Sequence, residues 1–179
     1  MGVYLGCRPL PAKETHPVLT SVFGLPAHVL IVHAAVVFIP LAALAGIVYT
    51  LVPRSRSHIW WAVLGLGVIA PLAGWAARIS GTSFRQQKID EGASGAFLDS
   101  INRHQSFGLP TSWWATGLGV ALLVTVLYAI PGPISFGAGR SPAAAVRVAA
   151  VVVTVVVSVV TLYYVIRTGD SGAHAVWGG

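Results

Sequence analysis

Acidic residues are scarce in this sequence, with five Asp and Glu against eleven Lys and Arg in 179 residues. There is one cysteine and one methionine. A solitary Cys7 excludes an internal disulfide and any cysteine-based metal site. No nucleophile–base arrangement, Gly-rich phosphate loop or pair of carboxylates within an apolar run is present, which leaves a hydrolase or kinase unsupported. The net charge of +6 is spread thinly along the chain. Without a basic stripe or binding motif, nucleic acid is excluded as a partner. No apolar stretch precedes Leu5-Gly6-Cys7, so residues 1–22, with Pro9, Pro11 and Pro17, read as a flexible tail rather than a signal peptide.

What the chain has in abundance is apolar surface. More than half of it is hydrophobic (55%) and the mean hydropathy is +0.78, a membrane composition. Four apolar runs, at 27–52, 59–79, 112–130 and 143–166, are each near the length that crosses a bilayer as a helix. Short, punctuated connections predict an all-α, up-down four-helix bundle over residues 23–177. Between spans two and three a polar stretch is expected to form a short interfacial helix within Thr82–Phe107, interrupted at Gly92 and Gly95. Gly65, Gly67 and Gly74 should allow close helix approach, and Pro71 should kink span two. Thr154, Ser158 and Thr161 form one hydroxyl stripe at i, i+4 and i+7 that should face the interior. Tyr49, Trp60, Trp61 and Tyr128 suggest one aromatic belt; Trp75, Trp113, Trp114, Tyr163 and Tyr164 suggest the other. Phe23-Gly24-Leu25-Pro26 recurs as Phe107-Gly108-Leu109-Pro110, a thin hint of an internal repeat.

Alternating spans put His28, His33, His104, Asp170 and His174 toward one face and leave His58 alone, as a solvated loop residue, on the other. Arg54, Arg56, Arg140 and Arg147 lie on the His58 side with no acid near them. The positive-inside rule therefore makes that side cytoplasmic, with both termini outside a bacterial plasma membrane.

The stretch Gly24-Leu25-Pro26-Ala27-His28-Val29-Leu30-Ile31-Val32-His33 resembles domain-of-unknown-function family 2231, small four-span bacterial membrane proteins common in actinobacteria. Ser80-Gly81, His104 with Gly108, and the ending Arg167-Thr168-Gly169-Asp170-Ser171-Gly172-Ala173-His174-Ala175-Val176-Trp177 extend the resemblance over about residues 22–177. Val29 departs from the family's usual proline, and Asp170 stands where many relatives carry His. Some relatives are joined to Rieske iron–sulfur or cytochrome c-like domains. The resemblance thus implies a setting in electron transfer, by analogy.

Imidazole ligates haem iron and divalent metals, and an Asp-or-His alternation suits a ligand position. The expected site is either haem b held axially by His33 and His104, or a divalent ion held by His28, His33, His104 and Asp170. On a regular helix His28 and His33 point about 140° apart, so both reach one metal only if the first turn is irregular. The competing structural readings place His28 in the headgroups, let His33 bond Thr154, Ser158 or a carbonyl, and make Asp170-Ser171 a helix-ending turn with Arg167 paired to Asp170. The leading expectation is a redox subunit with lipid and outer-face redox proteins as partners and room for a homo-oligomer. The alternative is a non-catalytic accessory or assembly protein without a cofactor.

Overall fold

A computed structural model describes residues 21–22, 25–130 and 143–177; for 21–22, 25–27 and 175–177 it describes backbone only. Residues 1–20 of the expected flexible tail and Arg140 lie outside the described residues, while the tail's last two residues form a strand. Two short strands, β1 (Ser21–Val22) and β2 (Leu25–Pro26), pair antiparallel and lead into helix α1 (Ala27–Leu51). A single 3-10 turn, Pro53–Ser55, joins it to α2 (Arg56–Asp90). Then come α3 (Gly95–Val124), which finishes in a π-helical turn at Thr125–Ala129, and α4 (Ala144–Trp177). All four helices are long and apolar enough to cross a membrane.

Each helix packs against its neighbours in sequence, and α1 also packs on α4. The first turn of α1 meets the C-terminal half of α2 through His28 and Ser80. Thr125, closing α3, hydrogen-bonds Thr154 near the start of α4 at 2.9 Å. Glycines set the closest approaches. A Cβ on Gly119 of α3 would fall on the Gly67 carbonyl of α2, and one on Gly46 of α1 would come 2.5 Å from Leu122. Gly74 likewise takes Ser112, whose hydroxyl donates to the Gly74 carbonyl across 3.2 Å. Gly65 faces open space and has no part in the packing.

Polarity runs inside out. Thr154, Ser158 and Thr161 are fully buried, as the stripe predicts, while Val36, Val37, Leu41, Leu44, Leu72, Val152 and Val156 are exposed. That distribution suits a hydrocarbon surround, where hydroxyls need partners within the protein and apolar side chains do not.

Several expectations require correction. There is no separate interfacial helix: residues 82–90 continue α2 and 95–107 continue α3. Gln86–Asp90 and Gln87–Glu91 hydrogen bonds support the extension of α2. The chain reverses at a Schellman cap in which Ala93 donates to the Lys88 carbonyl and Gly92 to Ile89, with Gly92 at φ +91°. The anticipated glycine interruption is thus the hairpin turn itself. The Phe-Gly-Leu-Pro echo takes different structures where it is described: Leu25-Pro26 of the first copy form β2, whereas the second copy lies inside α3, and Phe23-Gly24 lie outside the described residues. Tyr49 is buried in the core instead of lying in a surface belt. Arg56 is more than a flanking charge: its guanidinium donates to the Tyr49 and Thr50 carbonyls and caps the end of α1.

Candidate two-histidine site

The histidine-bearing end of the bundle is built twice. On α1 the first-turn His28 packs against Gly81 of α2, where an added Cβ would sit 3.1 Å from the ring carbon Cε1. Its Nδ1 bonds the Ser80 hydroxyl at 2.9 Å, and its ring stacks on Phe84 at 5.4 Å between centroids. On α3 His104 packs against Gly172 of α4 in the same manner, with an added Cβ 3.0 Å from Cε1. Its Nδ1 reaches the Thr168 carbonyl at 3.0 Å and the Ser171 hydroxyl at 3.3 Å. Each hairpin therefore seats an imidazole from its first helix on a Ser-Gly step of its second. Glycine keeps both seats close, because a methyl group at either step would press on the ring and shift it by a few tenths of an ångström.

The Thr168 carbonyl can only accept, so Nδ1 of His104 carries the proton and Nε2 has the free lone pair. A donor at Nδ1 that fixes the ring and leaves Nε2 open is the arrangement common to metal-ligating histidines. No bond to Nε2 of His28 or His104 involves the described residues.

The other expected ligands do not join them. His33 is exposed on the outer side of α1, with Nδ1 2.6 Å from the Val29 carbonyl one turn back, and meets neither His104 nor the Thr154 stripe. The small residues Ala35, Ala42, Ala43 and Gly46 mark the buried face of α1. His28 shares that face by helical phase, and His33, about 140° away, cannot. Asp170 is half exposed, 3.8 Å from Arg167 and 3.5 Å from Nδ1 of His174. Its pairing with Arg167 was anticipated, but the helix-ending turn was not realised, because α4 runs on through Gly169 and Gly172 to Trp177. His58 lies at the opposite end, bonded to Ser57 and the Arg54 carbonyl.

Among the described residues no three His, Cys, Asp or Glu side chains converge as a metal-binding group. A bare divalent ion needs roughly four ligands, so the donor set falls short for one. Haem needs only two axial donors from the protein, and His28 with His104 are donors of the right kind. Sequence reasoning paired His33 with His104; the structure leaves His33 exposed and turns His28 toward α2 instead.

Around the site aromatic rings form the level below. Trp75 meets Trp113 edge-on at 5.2 Å, Trp114 stacks on Tyr164 at 6.3 Å, and Trp75 donates to the Thr116 hydroxyl. Thr111 and Thr168 bond each other at 2.7 Å beneath His104. No family model matches the chain, and no curated protein or solved structure was found to be similar to it.

Proposed function

We propose that the chain is an up-down four-span protein of a bacterial plasma membrane that binds haem b between His28 and His104 and serves one-electron transfer. The observation that carries this reading is the duplicated notch: two imidazoles at one end, each fixed through Nδ1 and each seated on a glycine. A packing role alone gives no reason for the same expensive arrangement to arise in both hairpins. The antiparallel contacts and the apolar exterior support the bundle and its lipid surround. The Arg54 and Arg147 flanks support placing the paired histidines on the outer side, where an exported redox protein would meet them. The resemblance to family 2231, with its Rieske and cytochrome c-like associations, agrees with that setting. Haem held there would supply reversible one-electron exchange; the protein's part is to orient both imidazoles and exclude water from them.

The second reading, an accessory protein without a cofactor, rests on His28, whose stacking on Phe84 and bond to Ser80 would also serve simple packing. An absorption spectrum of the full chain, purified in mild detergent from haem-supplied cells, separates the two. A reduced-minus-oxidised haem spectrum should appear, and His28→Ala and His104→Ala should each abolish it. His33→Ala and His58→Ala should leave it unchanged. Absence of any haem band from the folded parent overturns the haem reading in favour of the accessory one.

A further inference from the structure

A cavity of about 360 Å³ opens between the start of α3 and the end of α4, and Ser171, which bonds His104, also lines it. Asp99, Arg103 and Phe107 line it from α3, and Arg167, Asp170 and His174 from α4. Its charges are mixed and incompletely used. The Arg167 guanidinium lies 5.2 Å over the Phe107 ring and 3.8 Å from Asp170, while its Nε is buried without a hydrogen-bond partner among the described residues. The side chains of Arg103 and Asp99 make no hydrogen bond or ion pair with the described residues, although both face the cavity. Buried donors without partners are rare in folded proteins and ask for a ligand.

We propose that this cavity binds the headgroup of a zwitterionic, phosphoethanolamine-type membrane lipid. Guanidinium groups match phosphate oxygens with a planar fork of donors, and Arg103 and Arg167 supply two such forks. The ammonium is matched by Asp99 and Asp170. A purely anionic headgroup would leave two carboxylates facing negative charge, and a purely cationic ligand would leave both arginines facing positive charge. A zwitterion satisfies each. Phe107 provides a wall for the glycerol, and the exposed Tyr163 and Ile166, within a turn of Arg167, offer apolar surface for an acyl chain. The cavity begins where the apolar parts of α3 and α4 give way to charged residues and extends outward along both helices.

Native mass spectrometry of the full, delipidated chain in detergent tests this, using phosphatidylethanolamine and phosphatidylglycerol of matched acyl chains. Phosphatidylethanolamine should be retained in preference. Arg103→Gln should lower its retention about tenfold, the scale of one lost charge-assisted bond. Arg103→Lys, which keeps the charge and loses the fork, should fall between and guards against a variant that fails to fold. Asp99→Asn should shift preference toward phosphatidylglycerol. Equal retention of both lipids by the parent, or unchanged phosphatidylethanolamine binding in both Arg103 variants, overturns the proposal. So does binding of free phosphoethanolamine or inorganic phosphate without retention of either lipid, which would assign the cavity to a soluble ligand.

Discussion

In the α1–α2 hairpin the histidine lies against an aromatic ring; in the α3–α4 hairpin it lies in a hydroxyl network. His28 is held by Phe84 and one serine, whereas His104 is held by a carbonyl and a serine above the Thr111–Thr168 pair. The same contrast extends through the bundle. Among the described residues, the buried Thr and Ser hydroxyls of Thr111, Ser112, Thr125, Thr154, Ser158, Thr161 and Ser171 belong to the second hairpin, and the first has Thr50 and the Tyr49 hydroxyl. The first hairpin is a wall of small and branched apolar residues, and the second supplies nearly all the interior polarity. Two similar notches are thus held by ring stacking with one hydroxyl bond in one case and by two hydrogen bonds in the other. The shared element is glycine, since only glycine lets an imidazole lie on a helix backbone.

The largest expected effect comes from breaking the contact that joins the hairpins. Gly119→Val would drive its side chain into the Gly67 carbonyl and crowd Pro71, whose Cγ would be 3.1 Å from the new Cβ. Backbone cannot yield as a side-chain tip can. The cost should therefore reach or exceed the upper end of the roughly 1–3 kcal/mol typical of overpacking. Gly65→Val, with nothing within 4 Å, is the matched control and should be close to neutral. Thermal unfolding in detergent, followed by size-exclusion chromatography, compares them. Equal midpoints would show that α2 and α3 do not meet at Gly67 and Gly119.

Next in size are the notches themselves. Gly81→Ala and Gly172→Ala each place a methyl about 3 Å from an imidazole carbon, so each ring must give by a few tenths of an ångström and lose its close seat. On the proposed haem reading, both variants should weaken or lose the haem spectrum while keeping most of the parent's thermal stability. Loss in one and retention in the other would break the equivalence of the two half-sites and leave a single functional histidine.

Much of this was legible beforehand. Four spans, a buried hydroxyl stripe and a glycine break near residues 92–95 follow from apolar length, i/i+4/i+7 spacing and turn chemistry. The choice between His28 and His33 did not follow from hydropathy, because α1 is apolar all round and its outer face is as hydrophobic as its inner. The usable signal was size: Ala35, Ala42, Ala43 and Gly46 share a phase with His28, and helices in lipid bury their small residues. The extension of α2 and α3 beyond their apolar parts was missed for a different reason. Polar helix formers such as Arg85-Gln86-Gln87-Lys88 suit a solvent-exposed helical extension as well as an interfacial one, and composition does not distinguish them.

The difference in anchoring gives a smaller, graded test. Phe84→Ala removes the stacked ring from His28, and Ser171→Ala removes one of two acceptors from His104. The Thr168 carbonyl still holds His104 in the second case, so the loss should be within the roughly 0.5–1.5 kcal/mol of one hydrogen bond. Losing the ring costs its stacking, also about 0.5–1.5 kcal/mol, together with buried area. Phe84→Ala should therefore lower the unfolding midpoint more. The reverse order would mean that the hydroxyl network, not the aromatic contact, is the stiffer of the two anchors.

The smallest expected effect lies deep in the second hairpin, at the 2.9 Å bond between Thr125 and Thr154. Both residues are buried, and neither hydroxyl can reach bulk water. In hydrocarbon the intuitive expectation is a strong bond, because there is no solvent to replace a lost partner. The unfolded-in-membrane reference argues otherwise, since a threonine hydroxyl freed on a helix turns back to the carbonyl four residues earlier, as Thr161 does with Val157. Thr125→Val and Thr154→Val keep shape and remove the hydroxyls. In a double-mutant cycle their coupling should be about 0.6 kcal/mol, the average for such bonds in membrane bundles. A coupling well above the roughly 1.7 kcal/mol ceiling of that range would mean that neither hydroxyl finds its own helix as a substitute. The second hairpin would then owe its stability to polarity as much as the first owes its own to packing, and the contrast between them would become one of energy as well as chemistry.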